Sequence, residues 1–171
     1  MQLRYLSKRD VRELMATLRE RYNLKSEYEK IAEVTLDIYP RKNNVKIYIA
    51  YSESNVIPLV LEIENLLIPS IHSLNLGILT THYARVDSGA VPRILGGADV
   101  MAPGIIECSD FNKDDVVGVR EPEKNLHILV GMALMSCSEI KNLRKGKAIK
   151  SIHYAGDKIW MSLIEVLRRL M

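Results

Sequence analysis

The chain has 171 residues and a mass of 19.5 kDa, enough for one ordinary domain or two small ones, which excludes a large multidomain enzyme. With 47% hydrophobic and 26% charged residues it has the composition of a chain that buries a core, so disordered and fibrous classes are excluded. The formal charge of +3, from 24 basic against 21 acidic side chains, is too mild to mark a nucleic-acid binder in bulk, so the placement of the charges decides.

The opening Met1-Gln2-Leu3-Arg4 runs into charged residues and does not read as a signal peptide. No run approaches the roughly 20 apolar residues that span a bilayer. The single glutamine, with abundant Ile, Lys and Glu, is a thermophile-type composition. From Ser7 to Tyr22, Val11, Leu14, Met15, Leu18 and Tyr22 fall on one side of a helix, with Ser7 as N-cap. Residues 31–38 alternate, with Glu33, Thr35 and Asp37 facing away from Val34, Leu36 and Ile38, which predicts a half-buried strand ended by Pro40. Arg41-Lys42-Asn43-Asn44 makes a turn, and 45–51 and 56–63 are two further strands joined by Ser52-Glu53-Ser54-Asn55. Pro69 opens a short helix through Leu74 that Gly77 ends, and a domain boundary falls near Ile78.

Beyond it, glycines punctuate short apolar runs, as a small, nearly closed sheet requires. Residues 115–121 and 126–135 read as strands, and Ser138 caps a short helix through Arg144 that Gly146 stops. From Asp157, as N-cap, Ile159, Leu163, Val166, Leu167 and Leu170 recur at helical spacing. Cys108 and Cys137 match no disulfide framework and no paired metal-ligand spacing, so both read as small buried apolar residues in a reducing compartment.

Catalytic chemistry finds little to work with. His72, His82, His127 and His153 are isolated, Gly96-Gly97 lacks the continuation of a phosphate loop, and Asp110, Asp114 and Asp115 lack the ligand ladder of a calcium loop. No catalytic residue, metal or cofactor is therefore assigned. Charge is more informative. Lys141, Arg144, Lys145, Lys147 and Lys150 face one anion, Glu139, and form either a phosphate-binding face or a solvated one. Residues 107–123 are acidic on balance, so the second domain is polarised. The arginines of the first helix alternate with acids and read as ordinary surface pairs.

The stretch Val86-Asp87-Ser88-Gly89-Ala90, followed by Ile94-Leu95-Gly96-Gly97-Ala98-Asp99-Val100-Met101-Ala102-Pro103-Gly104-Ile105, resembles the core signature of a PUA domain, an RNA-binding pseudobarrel. The run from Gly146 to Tyr154, through Trp160, resembles the end of that domain in the family of the malignant T-cell amplified sequence protein and the N-terminal part of ligatin. The first domain, ending in Leu67-Ile68-Pro69-Ser70-Ile71-His72, is similar to that family's pre-PUA domain, and the whole is most like the stand-alone archaeal members.

The resemblance implies an α+β chain: a small α/β pre-PUA domain over residues 1–78, then a PUA β-pseudobarrel with a C-terminal helix over 79–171. It implies a non-catalytic, cytoplasmic translation factor, in initiation or recycling, that binds RNA (tRNA, small-subunit rRNA or both) and the small ribosomal subunit. The pre-PUA domain then offers a surface to a protein partner. An accessory subunit of a tRNA or rRNA modification enzyme is the alternative. Carried onto this sequence, the RNA-binding residues are Ser88, Gly89, Arg93, Gly97, Ala98, Val100, Met101, Ala102, His153 and Tyr154. Lys145, Lys147 and Lys150 join Arg93 as the phosphate contacts, while Ala90, Ile94, Val100 and Ile105 also read as core. Asp87 and Ser88 are expected to cap a helix from Gly89 whose first amides face an anion. Trp160 is expected to hold the C-terminal helix against the barrel.

Overall fold

A computed structural model describes residues 1–38 and 45–171. The predicted strand end at Pro40 and the turn at 41–44 lie outside the described residues. Packing divides the chain into two units, Met1–Thr80 with Lys158–Met171, and Thr81–Asp157.

The first unit begins with an edge strand that the sequence pattern does not announce, β1 (Gln2–Tyr5), followed by α1 (Lys8–Tyr22), β2 (Lys30–Leu36), β3 (Val45–Tyr51), β4 (Val56–Ile63), β5 (Leu66–Pro69) and α2 (Ile71–Asn75). The strands form one antiparallel sheet in the order β1-β2-β3-β4-β5. Ser7 caps α1 as predicted, its Oγ accepting from the Asp10 amide at 3.1 Å. The helix buries Val11, Met15, Leu18 and Tyr22, and the Tyr22 hydroxyl donates to the Leu67 carbonyl at 2.6 Å.

Two local expectations change here. Pro69 closes β5 rather than opening a helix, because Ser70 next to it is the cap, its Oγ accepting from the Ser73 amide at 2.9 Å. Glu33 does alternate away from Val34 but is buried, held by Arg4 at 3.1 Å and Lys46 at 4.0 Å.

The second unit comprises β6 (His82–Val86), α3 (Val91–Leu95), β7 (Val100–Met101), a 3₁₀ turn at Ala102–Gly104, β8 (Ile105–Cys108), β9 (Val116–Arg120), β10 (His127–Ala133), α4 (Cys137–Leu143) and β11 (Lys147–Tyr154). Its sheet runs β7-β11-β10-β9-β6-β8, with β6 and β9 parallel and the other pairs antiparallel. The two end strands, β7 and β8, are joined by only the three residues of the 3₁₀ turn, so the sheet must curl until its ends meet. Phe111, Ile94, Leu129, Val117, Val119 and Ile149 fill the interior. Gly131 sits where β10 changes register against β11, and a Cβ there would fall 2.3 Å from the Lys150 carbonyl oxygen, so only glycine lets the strands approach.

Cys108, at the end of β8, and Cys137, at the start of α4, form a disulfide, which corrects their assignment as reduced, independent residues. A lone pair of cysteines 29 positions apart carries no spacing signal, and only the curled sheet brings them together. The cap of α4 is Ser136 rather than Ser138: its Oγ accepts from the Glu139 amide at 3.1 Å. The Ser136-to-Glu139 spacing is that of a capping box.

The C-terminal helix, α5 (Lys158–Leu170), packs with the first unit, whereas the sequence assigns it to the second domain. Trp160, expected to hold this helix against the barrel, stacks on His72 of α2 with ring centroids 4.6 Å apart, so the tryptophan anchors α5 within the first unit. Packing sets the change of unit between Thr80 and Thr81, beside the boundary read at residue 78.

Candidate nucleic-acid interface

The segment from Asp87 to Gly104 wraps one flank of the curled sheet. The Asp87 amide donates to the Gly104 carbonyl at 2.9 Å, pinning the two ends of the loop together. Between them α3 starts at Val91 with Pro92 in its first turn, and the Asp87 Oδ1 accepts from the Ala90 amide at 2.9 Å. The expected anion site at Gly89 is therefore absent: a carboxylate already occupies that end, and the helix is one turn long. Gly97 takes φ +94°, and a Cβ there would stand 3.1 Å from the Tyr154 hydroxyl, so glycine serves both the turn and the close packing of that ring.

These turns leave a cleft of about 480 Å³ lined by Asp87, Ala90, Arg93, Asp99, Met101 and Pro103, among others. Asp99 is the residue the sequence does not single out. Its Oδ1 accepts from the Ser151 amide of β11 at 2.8 Å, and its Oδ2 lies 3.6 Å from Lys147 Nζ. A solitary aspartate between Ala98 and Val100 offers no pattern from which this role could be read.

The predicted RNA-binding residues divide by exposure. Ser88, Gly89, Arg93, Gly97, Ala98, Met101, Lys145, Lys147 and Lys150 are exposed, and Tyr154 is half-buried. Val100, Ala102 and His153 are each at most 1% exposed, which corrects their placement in a contact surface. Val100 and Ala102 are core side chains of the strand and turn. His153 faces inward with its Nδ1 2.9 Å from Asp157 Oδ2, a carboxylate that also accepts from the Tyr154 amide at 3.0 Å.

The basic segment is held on a defined backbone. Arg144 ends α4 in the left-handed conformation, Gly146 follows at φ +88°, and the Gly146 carbonyl accepts from the Ala102 amide at 2.9 Å. That bond ties the lysine loop to the 3₁₀ turn beside the cleft. Among the described residues, Arg93, Lys145 and Lys150 form no ion pair, so their charge is available to a partner.

The acidic stretch behaves differently. Glu107 accepts from the Tyr83 hydroxyl and from Arg85 at 3.0 Å, and these bonds hold its carboxyl below the usual carboxylate range. Glu121 accepts from the amides of Leu126, Glu123 and Lys124 at 3.0, 2.7 and 2.8 Å, which lowers its carboxyl likewise. The Arg120 guanidinium lies 4.0 Å over the Tyr83 ring, and its Nε is 3.4 Å from Nε2 of the buried His127. Burial, with Arg120 beside it, pushes the His127 imidazole down to about 4. Among the described residues no cluster of His, Cys, Asp and Glu could hold a metal ion. No described helix is long and apolar enough to cross a membrane.

Residues 82–155 match the PUA domain model, and the curled six-stranded sheet with its flanking cleft defines the second unit as that RNA-binding fold. A hypothetical protein from Pyrococcus horikoshii superposes with a TM-score of 0.75 at 30% identity, covering 94% of this chain and 99% of that one. An uncharacterized protein of Methanocaldococcus jannaschii is 36% identical over 161 residues, 91% of this chain and 93% of its own. Translation machinery-associated protein 20 of Schizosaccharomyces pombe is 27% identical over 150 residues, 81% of this chain and 82% of its own. The chain belongs to the family of PUA-domain proteins that comprises archaeal stand-alone members, Translation machinery-associated protein 20 and the malignant T-cell-amplified sequence proteins.

Proposed function

We propose that this protein is a non-catalytic translation factor that binds the small ribosomal subunit and the acceptor end of tRNA, in initiation or recycling. The observation that carries the reading is the group of exposed cations without an ion pair among the described residues at and beside the cleft of the second unit: Arg93 in its lining, Lys145 and Lys150 on the neighbouring segment, with Lys147 only loosely held by Asp99. Such cations neutralise phosphates without reading sequence. The name of the fission-yeast relative, a translation machinery-associated protein, supports the same direction.

A cytoplasmic location belongs to this proposal. The disulfide is compatible with it, because intracellular proteins of hyperthermophiles are a known exception to the reducing rule, and the glutamine-poor composition is of that kind. The test is binding of the purified protein to tRNA and to small ribosomal subunits across a salt series. The proposal expects affinity that falls steeply with salt, and ribosomal subunits in native co-purification. A chain that binds neither RNA, or that co-purifies with an RNA-modification enzyme instead, overturns it.

A further inference from the structure

The second unit is electrically neutral as a whole. Residues 81–157 carry ten basic and ten acidic side chains, so the chain's entire excess of +3 lies in residues 1–80 and 158–171. The alternation of charge along α1 predicts surface pairs, and the structure forms them for two arginines. Arg9 has Asp10 at 3.8 Å and Glu13 at 3.9 Å, and Arg19 has Glu27 at 2.8 Å. Lys8 and Arg12 are different: both are exposed, and neither forms an ion pair among the described residues. Four positions apart, they share one helix face and stand about 6 Å apart along its axis.

An aromatic cluster adjoins them. β1 ends at Tyr5, three positions before Lys8, so the two Cα atoms lie within about 11 Å of each other. Tyr5 packs against Tyr51 of β3 with ring centroids 5.9 Å apart. Lys30, opposite Tyr51 in the β2–β3 register, sets its Nζ 4.5 Å over the Tyr5 ring and 4.7 Å over the Tyr51 ring. Tyr51 is half-buried and fixes the cluster, while Tyr5 is 51% exposed. Lys30 is exposed and, like Lys8 and Arg12, has no carboxylate partner among the described residues.

A wet aromatic ring with cations beside it suits single-stranded nucleic acid, because every base has a face that stacks and every nucleotide a charge to neutralise. An acidic peptide would meet the cations and leave the ring without a matching plane. We propose, resting on the RNA-binding reading above, that the first unit carries a second, sequence-tolerant RNA surface. On it a base of an unpaired segment stacks on Tyr5 beside Lys30, and neighbouring phosphates meet Lys8 and Arg12.

The experiment is fluorescence anisotropy of the full chain with a mixed-sequence single-stranded RNA across a salt series. Lys8→Gln combined with Arg12→Gln is expected to shrink the log–log salt slope by about 1.4, the value for two phosphate contacts on a single strand. Tyr5→Ala is expected to weaken binding at least about fivefold at every salt concentration with the slope unchanged, and Tyr5→Phe to keep wild-type affinity, a pattern that a loss of structure would not produce. Should Tyr5→Ala fail to fold, the slope of the charge variant decides. An unchanged slope in the charge variant, or unchanged affinity in Tyr5→Ala, overturns the second surface and leaves the RNA-binding reading standing. A wild-type chain that binds tRNA but not this strand does the same. A chain that binds neither overturns both.

Discussion

The two charged segments of the pseudobarrel carry opposite charges, and they differ more in how those charges are used than in their sign. On the acidic segment, Glu107 is bonded to Tyr83 and Arg85, and Glu121 gathers three amides of its own loop. On the basic segment, Lys145 and Lys150 are paired with nothing among the described residues, and Lys147 has one long contact to Asp99. Glu107 and Glu121 are structural and the lysines are available. A charge count along the sequence cannot separate the two cases, because a carboxylate that organises a turn and one that waits for a partner look alike until the hydrogen bonds are seen.

That contrast can be strained in several ways. The largest effect is expected from the disulfide, which joins β8, on the acidic side, to the first turn of α4, which leads into the lysines. Cys108→Ser with Cys137→Ser opens a loop closed over a separation of 29 residues, and the chain-entropy relation puts the loss near 3.5 kcal/mol. Urea denaturation measures it. If the segments are as independent as their bonding suggests, RNA affinity of the folded double variant stays within about threefold of wild type, under 1 kcal/mol.

Next comes the pH dependence set by His127. The imidazole titrates at 6.5 when unperturbed and at about 4 in the folded chain, because burial disfavours its charged form. Between those values the unfolded chain binds the extra proton, so this contribution is complete above the upper value and is lost as pH falls to the lower one. The loss is about 3 kcal/mol. Urea midpoints recorded at steps through that window should show it, and His127→Gln should flatten it.

A smaller effect is expected for Glu121→Gln, which keeps the shape and removes the charge that its three amides favour: a lower melting temperature, with RNA affinity unchanged. The smallest is Asp99→Asn. The amide oxygen keeps the Ser151 bond while Lys147 loses the one ion pair it makes among the described residues, so tRNA affinity should rise by no more than about threefold, which a binding isotherm at low salt resolves.

The sequence carried much of this fold in its periodicities. Val11, Met15, Leu18 and Tyr22 mark α1, Ile159, Leu163 and Val166 mark α5, and the meander follows from alternation. What escaped was set by neighbours rather than by pattern. β1 is a four-residue edge strand, too short to show a period, and exists through its pairing with β2. Pro69 is compatible with either a strand end or a helix start, and the Ser70 cap decided between them.

The site was legible as a stretch of chain and less so residue by residue. The glycines at 89 and 97 and the lysines are exposed, yet Val100, Ala102 and His153 are buried, and a motif does not say which of its residues are wet. Asp87 was read as a helix cap and does bind the Ala90 amide, whereas the bonds of Asp99 to Ser151 and Lys147 emerge only once the turn beside the cleft is formed.

The central claim, that the lysine segment is available to RNA phosphates and the acidic segment is not, is tested most directly by measuring tRNA affinity against salt for two variants side by side. With Lys145→Glu, Lys147→Glu and Lys150→Glu combined, affinity should fall at least about a hundredfold, and the log–log salt slope should shrink by about 2 to 3. With Glu107→Gln and Glu121→Gln combined, affinity and slope should both stay where they are. Equal losses in the two variants, or an unchanged slope in the lysine variant, would contradict the account.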